Sequence, residues 1–480
     1  MFDTEFHERG TVDGISRRRF VQAAGASGIT VGLAGCTGGS GGESSGAVVV
    51  SADQEMVDAS EEIIAALREA GLDTDIEVEI AQEDFQTDSR RQTYSSALNA
   101  GRSSPDLFMM DSGWTIPFIV REQLANLEEE LSSDIIDRVR NDYLSASVAT
   151  AESPDSGDLY GVPIFPDYPV MHYRKDLAEA AGYNPDGDNW ATNPVSWQEF
   201  SQIAADVRDQ SDVEYGFTTQ AAAYEGLSCC TFNETMSSFG GAYFGGRDNL
   251  FGPVGDRPVT VEEEPVIETL RMMRAFMYGS DDPEAADGYQ QIAPSSIVQW
   301  SEEDSRGPFT NGNAAFHRNW PYAFADAVDA FGDNYDMMPL PYGVPESESQ
   351  YDGLGGSRAA LGGWHVTLNP NSQKTEDAVQ VIEAMTSDEV MLAIFENIGN
   401  LPPIPEVLDG VSEDDVGPIG RFIPTLQYTA ERAVPRPVTD LWPNQSSLIY
   451  QEVNDVYTQT KTPTEAMGEL ATALEESDTR

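Results

Sequence analysis

Basic residues are scarce in this chain, and lysine is almost gone: only Lys175, Lys374 and Lys461 occur. Against 82 Asp and Glu stand 27 Lys and Arg, a formal net charge of −55. That balance excludes a nucleic-acid partner, which needs a basic footprint. Cysteine is nearly as rare, with Cys36, Cys229 and Cys230 as the whole set. The four histidines (His7, His172, His317, His365) are scattered singly. No CxxC, HExxH or GxxxxGK[ST] spacing exists, so neither a metal site, a cofactor nor nucleotide hydrolysis is expected. Adjacent Cys229 and Cys230 could join only in a strained ring, so they read as small buried hydrophobes. Past the first 46 residues, no apolar run is long enough to span a membrane.

What is present begins with an address. Ser16-Arg17-Arg18-Arg19-Phe20 precedes a short, mildly apolar stretch from Val21 to Ala34, and Leu33-Ala34-Gly35-Cys36 follows. The order resembles a twin-arginine export signal ending in a lipobox. Residues 1–35 are thus expected as signal peptide, with Arg17 and Arg18 as its mark. Residues 36–46 are expected as a lipidated Cys36 and a Gly/Ser tether. The remainder reads as an extracytoplasmic domain anchored to the outer face of the cell membrane.

The acidic excess is spread along the chain rather than gathered in a block. Dispersed acid with lysine depletion resembles the proteins of extreme halophiles, where molar salt shortens the Debye length to ~3 Å and screens self-repulsion. A cationic partner would predict a localised acidic block instead.

The next segments give a fold class. Ala47–Ser51 suits a buried parallel strand, and an apolar period of 3.6 from Met56 to Ala70 predicts a helix stopped by Gly71. Asp75–Ile80 alternates as a strand, a helix covers about 87–100, and Asp106–Asp111 reads as a third strand. This β-α-β-α-β order predicts an α/β fold with an open, mostly parallel sheet. Ligands of such sheets gather at the strands' carboxyl ends. Those ends carry Asp53-Gln54, Asp84-Phe85, and Asp111 with Trp114. Further along, Ser196-Trp197-Gln198-Glu199 opens a helix as a capping box. Strands are expected near 160–165, 170–173, 314–317, 336–340 and 361–368.

In this order the chain shows Tyr160-Gly-Val-Pro, Tyr173-Arg-Lys-Asp-Leu, Trp197-Gln-Glu-Phe, Phe309-Thr-Asn-Gly-Asn-Ala-Ala-Phe-His-Arg-Asn-Trp320, Met338-Pro-Leu-Pro and Gly362-Gly-Trp364. The series resembles the family 1 extracellular solute-binding proteins, lipoprotein receptors of ABC sugar importers similar to the maltose/trehalose-binding proteins. The resemblance implies a type II periplasmic-binding-protein-like fold of two lobes, each an open mostly parallel sheet flanked by helices, with a hinged cleft between. It implies a first lobe of 47–163 plus 321–367 and a second of 164–320 plus 368–480. It further implies a monomer that hands a di- or oligosaccharide to membrane permease subunits.

A sugar needs planar polar groups for its hydroxyls and rings for its C–H face. By resemblance, Asp111 is a hydroxyl acceptor, Asp53 and Gln54 are polar contacts, and Asp167-Tyr168 line the cleft. Trp320, after Asn319, and Trp364 are stacking residues, Tyr322 is a weaker candidate, and Arg436, held between two prolines, reaches the sugar. Plainer roles compete: helix capping for Asp53 and Asp111, core packing for the aromatics, a surface position for Arg436. A receptor for a polyamine or glycerol phosphate, and a secreted glycoside hydrolase, are the rival functions. The sequons at Asn233 and Asn444 allow glycosylation.

Overall fold

The computed structural model describes residues 46–479 apart from Phe85 and Asp352. Arg17, Arg18, Cys36 and Phe85 lie outside the described residues.

The chain opens with β1 (Val48–Ala52), β2 (Val78–Gln82) and β3 (Leu107–Asp111), where β1 pairs in parallel with both neighbours. Val48 and Val50 are buried, as a β-branched run in a covered parallel strand should be. The expected helix after β1 is two pieces, Gln54–Asp58 and Ser60–Glu69, and the second buries Ile63, Ala66 and Leu67. The helix Thr87–Asn99 follows β2. Next, β4 (Gly161–Asp167) runs almost directly into β5 (Val170–Arg174), which belongs to a second sheet. That sheet also holds β6 (Tyr215–Thr218), β7 (Ala314–Asn319) and β8 (Tyr335–Met338), in the order β6-β7-β5-β8. Its pairing is parallel for β6 with β7 and antiparallel for β5 with β7 and β8.

The chain then returns to the first sheet. β9 (Ala359–Leu368) lies antiparallel to β3 and β4, and β10 (Ala433–Pro435) adds in parallel to its start. The first sheet thus reads β10-β9-β3-β1-β2, with β4 also on β9. Strands β6 and β10 are additions to the sequence-based expectation; both are short and flanked by polar residues, so neither carries a strong periodic signal.

Two placements differ from the expected division of the chain. Tyr335–Met338 was expected with the first sheet, but pairs with β5 in the second. The helices Thr375–Met385 and Asp388–Ile398 were expected with the second unit, but bury Val381, Ile382, Val390 and Ile394 in the core that contains Val48 and Val50. Apolar faces seek the nearest unfilled sheet face, and chain order alone does not reveal which that is. The final helices, Trp442–Tyr457 and Pro463–Ser477, do pack in the second sheet's core with Phe200 and Phe276.

Ser196 caps the helix Trp197–Asp209 by accepting from the Glu199 N–H at 3.1 Å. Asn233 is buried and so is closed to glycosylation, while Asn444 is exposed. Among the described residues, no helix is long and apolar enough to cross a membrane, and no acid, His or Cys cluster could hold a metal.

Candidate functional site

Sheet register brings the site together. Trp364 on β9 stands opposite Asp111 of β3 on one side and Phe165 of β4 on the other, and Gly362 stands opposite Asp167. A cleft with about 860 Å³ of atom-free space opens over this region. Of the residues expected from sequence, Asp53, Asp111, Asp167, Trp320, Tyr322, Trp364 and Arg436 line it.

Asp111 and Arg436 form its polar centre. Asp111 Oδ1 accepts from the Gly113 N–H at 2.7 Å and from Arg436 Nη1 at 3.0 Å. The same Nη1 donates to Glu225 Oε1 at 3.3 Å. Arg436 is only 3 % exposed, so it is no surface arginine. Burial pushes the Glu225 carboxyl up to about 7, with the Asp111 charge adding to the effect and Arg436 opposing it.

Asp53 caps the helix Gln54–Asp58 by accepting from the Met56 N–H at 3.0 Å, and it lines the cleft as well. Its two readings are therefore compatible. Burial raises its carboxyl despite Arg90, whose Nη1 is 4.0 Å away. Glu55 beside it is pushed up to about 7 by burial and then by the Asp53 charge. The Arg90 guanidinium stacks 4.5 Å over the Trp364 ring, and its Nε donates to the Asp84 carbonyl at 3.0 Å.

Asp167 closes β4 where the chain crosses between sheets. Its Oδ1 has no partner, and burial pushes its carboxyl up to about 8 against the opposing charge of Arg318. Trp320 lies nearby with Arg318 4.8 Å over its ring. A Cβ on Gly362 would meet Trp320 Cη2 at 3.1 Å, so the missing side chain leaves room for the indole. Gly363 has φ +132°, and a Cβ there would press on the Phe165 carbonyl at 2.7 Å. The Gly-Gly-Trp sequence is thus a backbone requirement of the cleft wall.

The remaining candidates sit elsewhere. Trp114 is 1 % exposed and packs edge-on to Trp364 at 6.3 Å and 89°, supporting that ring from behind. Tyr168 is buried with Val170 and Tyr335. Asn319 is buried, and its Oδ1 accepts from the Trp320 N–H at 2.8 Å, which fixes the backbone before the tryptophan. Gln54 Nε2 donates to Asp58 Oδ1, one turn further along its own short helix, at 2.6 Å. Asp84 is exposed and makes a local turn by accepting from the Gln86 N–H at 2.9 Å. Strand ends and the family resemblance selected these residues, but past a strand end the backbone turns into a helix or loop, and that local turn decides which side chains meet the cleft.

Sequence reasoning did not single out Glu55, Arg90, Tyr224, Glu225 or Glu302, all of which line it. Tyr224 donates to Glu302 Oε1 at 2.7 Å, and burial raises the Glu302 carboxyl. Tyr322 donates to Glu303 Oε1 at 2.8 Å. Cys229 and Cys230 also line the cleft, and here the reading as separate small hydrophobes is corrected: they are joined as a disulfide within one turn, Leu227–Thr231. Their side chains are buried, as expected.

All three described histidines have structural partners. His365 bonds Thr115 Oγ1 at 2.9 Å and Thr150 Oγ1 at 3.0 Å behind the cleft wall, and burial pushes it down to about 3. His172 meets Tyr335 at 2.6 Å, and His317 meets Thr218 at 2.9 Å.

Residues 62–416 match the family described as Bacterial extracellular solute-binding protein. The chain is 25% identical over 388 residues to a "Probable ABC transporter-binding protein" of Deinococcus radiodurans, covering 79% of this chain and 80% of that one. It is 22% identical over 325 residues to the sn-glycerol-3-phosphate-binding periplasmic protein UgpB of Rhizobium meliloti, covering 65% and 66% of the two. Among solved structures it resembles the maltose-bound MalE3 of T. maritima, with a TM-score of 0.71 and 25% identity over 89% of this chain and 99% of that one. With its two sheets and the cleft along their crossings, the chain has the two-lobed periplasmic-binding-protein fold and belongs to the bacterial extracellular solute-binding proteins.

Proposed function

We propose that this chain is the solute receptor of an ABC importer and that its cleft takes a sugar, a di- or oligosaccharide, for delivery to a membrane permease. One observation carries the reading: indoles and hydrogen-bonding carboxylates share a single cleft. Trp320, Trp364 and Tyr322 supply faces for sugar C–H groups, and Asp111, Glu225 and Arg436 supply paired hydrogen bonds for vicinal hydroxyls. Asp53 and Asp167 accept from further hydroxyls. The similarity to a maltose-bound receptor supports this reading. Binding without catalysis fits the relatives, which are binding proteins. Export through the Arg17-Arg18 signal and lipidation at Cys36 would hold the receptor, as a monomer, beside its permease. The dispersed acid fits work in molar salt.

The test is calorimetry of the purified protein with maltose and trehalose in molar salt. Saturable binding with quenched tryptophan fluorescence and intact recovery of the sugar is expected. Release of monosaccharide beyond the amount of protein would make the chain a hydrolase and sink the reading.

A second reading rests on charge. Six carboxyl groups line the cleft (Asp53, Glu55, Asp111, Asp167, Glu225, Glu302) against Arg90 and Arg436; burial keeps Asp167 protonated up to about 8, and an entering cation would favour its ionised form. An organic cation such as a polyamine would answer that surplus. The same surplus disfavours a phosphate ester, since Arg436 is already engaged by two carboxylates. Spermidine and glycerol phosphate in the same titration separate these cases.

A further inference from the structure

We propose that the Cys229–Cys230 disulfide is itself a ligand-contacting surface, an apolar plate close in the chain to Glu225, and that its reduction weakens binding. The proposal rests on the sugar reading of the cleft. Both cysteines line the cleft, at 4 % and 2 % exposure, shortly after the lining residues Tyr224, Glu225 and Gly226.

The turn that carries them is fixed from several sides. Ser228 Oγ meets Ser446 Oγ at 2.6 Å. In the helix Phe232–Ser238 that continues the turn, Glu234 receives Arg318 Nε at 2.7 Å and Nη2 at 2.8 Å, and also the Ala360 N–H at 3.1 Å. Arg318 precedes Asn319 and Trp320, and Ala360 lies in β9 two residues before Gly362. The disulfide is therefore tied to the same frame that sets the tryptophan wall.

Its chemistry differs from that of the lining indoles and acids. A disulfide offers no N–H or O–H donor and presents two polarizable sulfurs, which suit the C–H face of a sugar ring as an aromatic or thioether does. The carboxyl groups that share the cleft address hydroxyls, so the plate would serve the apolar face of the ring. An extracytoplasmic location keeps such a pair oxidised.

Reduction by a dithiol such as dithiothreitol transfers two electrons and two protons. The S–S bond breaks, two S–H bonds form, and the reductant closes to its own cyclic disulfide. Unbonded sulfurs then need van der Waals separation, so the two side chains part and the surface beside Glu225 repacks.

The test uses the full chain in molar salt. Peptide mapping of untreated protein is expected to find residues 229 and 230 joined; free thiols there overturn the proposal. After dithiothreitol, maltose affinity is expected to fall about tenfold and to return on reoxidation, with the melting temperature changed little. Equal affinity in both redox states overturns it. A Cys229→Ser/Cys230→Ser variant that folds should bind like the reduced form. Should maltose and trehalose both fail to bind the oxidised chain, the sugar reading falls on its own. The disulfide is then judged by iodoacetamide labelling of the reduced, folded, ligand-free chain. Ready labelling of both thiols supports a cleft-facing pair, and labelling only after denaturation overturns it.

Discussion

Arg436 Nη1 stands 3.0 Å from Asp111 Oδ1 and 3.3 Å from Glu225 Oε1, so one guanidinium joins the end of β3 to the turn before the disulfide. Without it, two buried carboxylates face each other with no counter-charge. Breaking a buried pair from one side costs about 3–5 kcal/mol, so Arg436→Met should lower thermal stability markedly and abolish sugar binding. Arg436→Lys keeps the charge but not the fork and should fall between. Thermal melts and calorimetry on the two variants check the order.

Trp320→Ala and Trp364→Ala should each weaken sugar binding by about tenfold or more, since an aromatic contact contributes roughly 0.5–1.5 kcal/mol beyond the area it covers. The corresponding Phe variants should recover part of the loss. Both rings lie under an arginine, and Trp364 also packs edge-on with the buried Trp114, so the melting temperature of Trp364→Ala should drop further than that of Trp320→Ala. An unchanged affinity for both alanine variants would remove the stacking role.

Asp167 supplies a pH dependence. Burial holds its carboxyl at about 8, above the ordinary 3.8. Between those values the folded chain keeps a proton that the unfolded chain has released. Stability from this site is therefore full below the ordinary value and is lost as pH rises through about 8. The ligand-free protein should melt progressively lower from roughly pH 4 to 8, and Asp167→Asn should show a shallower decline. Parallel curves for the two proteins would contradict the assignment.

Tyr168 and Trp114 should separate cleft from core. The Tyr168 hydroxyl is buried without a partner, so Tyr168→Phe is expected to leave stability unchanged or raise it slightly, with affinity intact. Trp114→Ala opens a core cavity and should cost about 3–5 kcal/mol, while its effect on affinity runs only through a less well supported Trp364. Denaturant melts and calorimetry on both variants give the comparison.

Salt should act on the whole molecule. With a net charge of −55, the melting temperature is expected to climb steadily from dilute buffer to molar salt as self-repulsion is screened. A flat salt response would argue against halophilic adaptation.

Much of the fold was legible because β1 and β3 are largely apolar runs and the stretch from Met56 to Ala70 carries a clear 3.6 period. The pairing of Tyr335–Met338 with β5, and the return of Thr375–Ile398 to the first core, were not. Both depend on which sheet face is still open, a three-dimensional fact. At the cleft, strand ends pointed to Asp53 and Asp111, and the family resemblance pointed to Asp167, Trp320, Tyr322, Trp364 and Arg436, all of which line it. Glu225 and Arg90 had no such signal. Glu225 follows no strand, and Arg90 sits inside a helix whose buried face is set by Tyr94, Ala97 and Leu98. With 82 acids in the chain, one more glutamate carried no weight until its partner was visible.

Along β9, Trp364 lines the cleft and its neighbour His365 lies among Thr115 and Thr150. Consecutive residues of a strand point to opposite faces, so threading β9 one position out of place would exchange the indole for an imidazole. The Ser112 N–H bond to the Gly363 carbonyl, at 3.0 Å, and the two threonines on His365 lock the correct alignment from both faces. A mis-threaded molecule would keep its sheet and lose its specificity, and the histidine that never meets the ligand is part of what prevents that error.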